Sequence, residues 1–90
     1  MDESELDTLY DHLAATGERP VERTASRWLG EAEAIAADVA HGDLDPAVRR
    51  ERLGKVEHLL ANVEGTGDEQ ANEHVAAAEA ILEALLSEDS

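Results

Sequence analysis

The segment Pro20–His41, PVERTASRWLGEAEAIAADVAH, decides how the rest of the chain is read. Laid out at about 100° per residue, Val21, Ala25, Trp28, Leu29, Ala32, Ile35, Ala36 and Val39 fall within about 120°, the width of a core-facing helical stripe. Trp28, at the middle of that stripe, is expected to anchor the core. The other side carries Ser26, Gly30, Ala34 and Ala37, where a solvated helix usually holds Lys, Glu or Gln. Glycine inside a helix costs roughly 1 kcal/mol relative to Ala, so these small residues point to a second helix lying close against this back face. Arg23, Arg27, Glu31 and Asp38 form the one clear polar strip. Pro20 in the first turn and Gly42 after His41 set the expected ends, 20–41.

Shorter helices are expected on either side. The first spans 5–16, with Ser4 as N-cap, Asp7 as its capping-box partner, Leu6, Leu9, Tyr10 and Leu13 on one face, and Gly17 as its stop. Its short link to Pro20 folds it back along the next helix, a first candidate to cover Ser26 and Gly30. Asp45-Pro46 is a cap followed by a first-position proline, opening a helix over 46–63 whose inward face is Leu53, Val56, Leu59, Leu60 and Val63. Its reverse side repeats Ala47, Gly54 and Ala61 at intervals of seven, a second small-residue ridge. Glu64-Gly65-Thr66-Gly67 is a connecting loop, and Asp68 caps a last helix over 68–87 built on Ala71, Val75, Ala78, Leu82, Leu85 and Leu86. No alternating run reads as a strand. The expectation is one all-α domain over 1–90, an antiparallel three-helix bundle (20–41, 46–63, 68–87) with a short leading helix.

Composition excludes more than it assigns. Of 90 residues 22 are acidic and 7 basic, a net charge of −15, which disfavours nucleic-acid binding because that affinity comes mainly from cations on phosphates. Cysteine is absent, removing disulfides, thiolate metal sites and thiol nucleophiles. No apolar run is long enough to span a membrane, and the acidic start MDESELD is unlike a signal peptide, so a cytoplasmic protein is expected. Sixteen of the hydrophobic residues are Ala and only Tyr10 and Trp28 are aromatic. A core so composed suits helices packed through small side chains and gains from burial against a second copy. The ends are anionic, while residues 19–63 hold all seven basic residues against eight acids.

Each pattern with chemical potential has a plainer reading beside it. Arg49 and Arg52 fall toward the inward face near a helix N-terminus, a possible anion site; Glu83, Glu88 and Asp89 at the end of the last helix would pair with them instead. The same two arginines are all that a small-molecule enzyme reading can use, resembling the small helical chorismate mutases, which bind a dianion with several cations from more than one helix; here the last helix has none. His12, His41, His58 and His74 sit on four different helices and only His41 follows an acid by three residues, so the Glu-x-x-His pairs of di-metal bundles are missing. His41 reads as a cation at the negative end of a helix dipole. Paired carboxylates at the spacing used by helical nucleotide pyrophosphatases are absent too. Gly65-Thr66-Gly67 lacks the strand and lysine of a phosphate loop. No cofactor and no metal is therefore expected.

Ala25–Ala40, ASRWLGEAEAIAADVA, with Glu73–Ala78, EHVAAA, resembles small acidic helical proteins of halophilic archaea. The acidity, and six arginines to one lysine, fit that resemblance: molar salt shortens the screening length to about 3 Å and relieves self-repulsion. The resemblance implies an origin and no activity. The resulting expectation is a non-enzymatic module that forms a homodimer, or docks a protein partner, through Ser26, Gly30, Ala34 and Ala37 or through Ala47, Gly54 and Ala61. The alternative is an acidic mimic or binder of a basic protein.

Overall fold

The computed structural model describes residues 3–88. Four helices follow one another, α1 (Glu3–Thr16), α2 (Arg23–His41), α3 (Pro46–Ala61) and α4 (Glu69–Glu88), and there is no strand among the described residues. At about 1.5 Å per residue the helices are roughly 21 to 30 Å long, and lying side by side they fill a body of 35 × 21 × 20 Å.

The helices pack in a ring. α1 lies against both α2 and α4, α2 against α3, and α3 more thinly against α4, with no close approach of α2 to α4 or of α1 to α3. A three-helix bundle would need α2 against α4, so α1 is a full wall and not an appendage. Neighbours run antiparallel. Tyr10 in the middle of α1 meets His41 at the end of α2, His12 late in α1 meets His74 early in α4, and Arg50 early in α3 reaches the Leu86 carbonyl late in α4.

Each helix contributes its expected stripe to one core: Leu6, Leu9 and Leu13; Leu29, Ala32, Ala36 and Val39; Leu53, Val56, Leu59 and Leu60; Val75, Ala78, Leu82 and Leu85. In α2 the buried line is Ala25, Leu29, Ala32, Ala36 and Val39, a 4-3-4-3 spacing whose alanines let α1 and α3 approach closely. Trp28 is half-buried at the edge of this line, packed against the core with Val21 and Ile35. Its expected role as central anchor is corrected: the small residues beside it, not the indole, take the centre.

Three helix ends differ from expectation. Ser4 lies inside α1, its carbonyl accepting from the Thr8 hydroxyl at 2.9 Å, so the Ser4–Asp7 capping box does not form. Helix α2 starts three residues after Pro20, with extended Glu22 (φ −55°, ψ 143°) at the cap position. The Glu22 N–H, which an earlier helix start would leave without an intrahelical carbonyl, donates to the Thr66 carbonyl at 2.7 Å, holding the segment open. Helix α3 stops at Ala61, where the Asn62 side chain donates back to the His58 carbonyl at 3.0 Å. Pro46 is the first residue of α3, as expected, but Asp45 at the cap position makes no side-chain capping hydrogen bond, so the proline alone sets this start.

Candidate interaction surfaces

The loop between α3 and α4 forms the densest polar cluster. Gly65 and Gly67 take positive φ, 145° and 79°, values that L side chains rarely adopt. They turn Thr66 fully inward, where it is 0% exposed. The Thr66 hydroxyl accepts from the Asp68 N–H at 3.1 Å, and its proton faces the Asp68 carbonyl at 2.7 Å and Asn72 Oδ1 at 2.8 Å. The Thr66 N–H also donates to Asn72 Oδ1, at 3.0 Å. Asp68 caps α4 through the Ala71 N–H at 2.9 Å and receives both Nε and Nη2 of Arg19, at 3.0 and 3.1 Å. These contacts have a structural use: they fasten the α1–α2 link to the start of α4.

Hydrogen bonding from Arg19, followed by that from the Ala71 N–H, holds the Asp68 carboxyl below the usual carboxylate range. A carboxyl with a depressed folded pKa contributes stability that is present above about pH 4, its ordinary value, and is lost as pH falls through the depressed one. The urea midpoint is therefore expected to fall on acidification below about pH 4, and Asp68→Asn should be less stable near neutrality with a flatter acid limb. Parallel acid limbs for the two chains would contradict this assignment.

The two small-residue ridges are open within the monomer. On α2, Ser26, Gly30 and Ala34 are exposed and Ala37 is half-buried. A Cβ added at Gly30 would meet nothing within 4 Å, so no described helix covers it; Thr16 at the end of α1 and Gly17 after it only border it, beside a small dent of about 170 Å³. The expected cover by α1 is corrected. The strip of Arg23, Arg27, Glu31 and Asp38 is exposed as well, and flanks Gly30 and Ala34 on the outer face. On α3, Ala47 and Ala61 are exposed and Gly54 is half-buried with open space at its Cβ position. Ala47 and Gly54 floor an open groove of about 690 Å³ where α3 and α4 pack most thinly, edged by Arg50, Glu51, Glu57 and Glu83.

The two arginines of the expected anion site stand in different surroundings. Arg52 is exposed, beside Val48, Glu51 and Lys55, and only Arg49 turns partly inward. The Arg49 Nε is shielded from solvent without a hydrogen-bond partner, and the expected pairing with Glu83 is absent among the described residues. The Glu88 side chain and Asp89 lie outside what is described. The residue that does reach α4 is Arg50, whose Nη1 donates to the Leu86 carbonyl at 3.1 Å, where cations favourably meet the unsatisfied carbonyls of a helix end.

The histidines are where sequence reasoning missed most. His41 stands edge-on to Tyr10, ring centroids 5.2 Å apart, with Nε2 3.9 Å from the Asp7 carboxylate; both His41 and Asp7 are 60% exposed at the side chain, a weak surface pairing. His12 and His74, 62 positions apart, meet across α1 and α4 with Nδ1 to Nδ1 at 2.9 Å. A helical register calculation would have put both on the α1–α4 seam only once those helices were known to be neighbours.

A family model described as a domain of unknown function (DUF8152) matches residues 5–90. The chain belongs to that family. No curated protein and no solved structure matches it. Among the described residues no helix is long and apolar enough to cross a membrane.

Proposed function

We propose that this domain is a non-enzymatic, cytoplasmic interaction module that associates with a second copy of itself through the outer face of α2. The carrying observation is the open space over Gly30, at the centre of an exposed face with Ser26 and Ala34. A helix with that gap in its outer wall admits a partner helix at short range. The flanking strip has Arg23 and Arg27 in its first half and Glu31 and Asp38 in its second. Two copies packed antiparallel about a two-fold axis would set the basic half of each on the acidic half of the other. In a chain carrying −15, a face with Arg23 and Arg27 against Glu31, Glu33 and Asp38 is close to neutral and self-complementary, a favourable place for like molecules to meet. A face of about 29 by 10 Å is at or below the low end of stable interfaces, so association should be concentration-dependent. Salt should strengthen it by screening the remaining charge, in line with the salt adaptation that the composition suggests.

The test is Gly30→Glu, which the open space accommodates without disturbing the fold. Sedimentation equilibrium should find the variant monomeric under conditions where the unaltered chain associates, with equal helicity by circular dichroism. Undiminished association of Gly30→Glu would reject the α2 face. A second reading has its own observation: Glu51, Glu57 and Glu83 edge the groove over Ala47 and Gly54, a shape and charge suited to a basic segment of another protein, which Gly54→Glu would block.

A further inference from the structure

We propose that His12 and His74 form a pH-sensitive latch between α1 and α4, closed while their facing Nδ1 atoms hold one proton between them and released when acid puts a proton on each. The two Nδ1 atoms lie 2.9 Å apart across the seam, the length of a hydrogen bond in which one ring donates and the other accepts. With ring centroids at 5.2 Å and planes tilted by 45°, the nitrogens point at one another and the rings do not stack. Each imidazole has a second nitrogen, Nε2, which decides how many protons the pair can hold. With both Nε2 atoms protonated and one proton between the Nδ1 atoms, the pair carries one positive charge and the bond is intact. A further proton has only the accepting Nδ1 left to bind. It would set two N–H groups head-on between two cations, so the closed seam takes one proton fewer than two separate histidines.

Both rings are half-buried, on helices fixed by core residues such as Leu9, Leu13, Val75 and Ala78. The neighbours one turn away beside them, Thr8 and Thr16 on α1 and Gln70 and Ala77 on α4, are uncharged. Asp11 and Glu73, next in sequence to the histidines, are exposed, and Glu5 stands two turns before His12. From the other elements, α2 brings Glu33 beside Thr16 and the α1–α2 link brings Arg19 onto Asp68. Helix α3 meets α4 along another edge, with Glu51, Glu57 and Glu83 at its groove, and does not approach α1. Among the described residues no carboxylate pairs with either ring, so a second charge there is left without a partner.

In the unfolded chain both rings are free and each takes up a proton near pH 6.5, the ordinary value for histidine. Below that pH the unfolded chain therefore binds one proton more than the closed fold. The stability that the latch supplies is present above about pH 6.5 and falls as the pH drops, by up to about tenfold in folding constant per pH unit. This window lies above the one set by Asp68. The proposal does not rest on self-association through α2.

The experiment follows the full chain from about pH 7.5 to about pH 5 in about 1 M KCl, which screens the surface carboxylates. Long-range proton–nitrogen spectra of the imidazoles should show one of the two rings with its proton on Nδ1 and the other with Nδ1 bare at the upper end. On acidification the pair should gain one charge well before the second. Urea midpoints should fall below about pH 6.5 in the unaltered chain, in His41→Gln and in His58→Gln. They should stay level in His12→Gln and in His74→Gln, where an amide that takes no proton replaces one ring. Two seam rings that titrate alike, as separate histidines do, overturn the proposal, and the unaltered protein alone shows this even if a seam variant folds poorly. So does a level midpoint in the unaltered chain, or a fall that persists in both seam variants.

Discussion

Leu53→Ala should remove about 3 to 5 kcal/mol of stability, the cost of a cavity where the structure cannot collapse. Leu53 is 0% exposed and shares one core with Ala32 and Ala36 of α2, against which α3 packs. Those alanines are already at close approach and have no longer side chain with which to fill the gap. Since small domains have only about 5 to 15 kcal/mol in all, the variant is expected to be close to unfolding at 37 °C. Trp28→Ala should cost less, because the indole is only half-buried at the edge of the core and leaves a dent open to water. Urea melts of the two variants side by side test the packing order. A larger loss for Trp28→Ala would restore the indole to the centre and contradict the burial of α2 along Ala25, Leu29, Ala32, Ala36 and Val39.

Thr66→Val should cost about 2 to 4 kcal/mol despite conserving volume. It strands the Asp68 N–H and removes the proton shared by two oxygens, and each buried polar group left without a partner costs about 1 to 3 kcal/mol. The damage would spread, because the same loop supplies the carbonyl that accepts the Glu22 N–H and the Asp68 that holds Arg19. Thr66→Ser keeps the hydroxyl and should lose far less. Equal chemical-denaturation midpoints for Thr66→Val and the unaltered chain would show that the hydroxyl is dispensable, and with it the role given to the cluster as the fastening between the α1–α2 link and α4.

Periodicity and caps carried most of the fold. Pro46 and Asp68 each mark a helix start by chemistry that acts within four residues, the one through its fixed φ and the other through a side-chain cap, and both starts are where the sequence places them. The leucine stripes of α1, α3 and α4 are likewise legible, since large apolar residues three and four apart can face only one way. What was not legible depended on contacts between distant residues. The start of α2 is displaced because Glu22 bonds to Thr66, 44 positions further along. Trp28 was misplaced because α2 has apolar residues over a wide arc, and which of them takes the centre depends on how closely α1 and α3 approach. The standing of α1 as a full wall of the ring depends on its contact with α4, and so does the His12–His74 pair, which looks like two isolated histidines until the first and last helices are brought together. Of the candidate surfaces, the ridges at Gly30 and Gly54 were visible as misplaced small residues. Their openness in the monomer was not, since one unfilled side of a helix looks the same in sequence whether a neighbour covers it or not.

The central claim is that the open face of α2 is closed by a second copy. Light scattering in 2 M KCl at two widely spaced protein concentrations reads this directly. The predicted mass approaches twice the 9.7 kDa of the chain at the higher concentration and falls toward a single chain at the lower. A mass of one chain at both concentrations would contradict it.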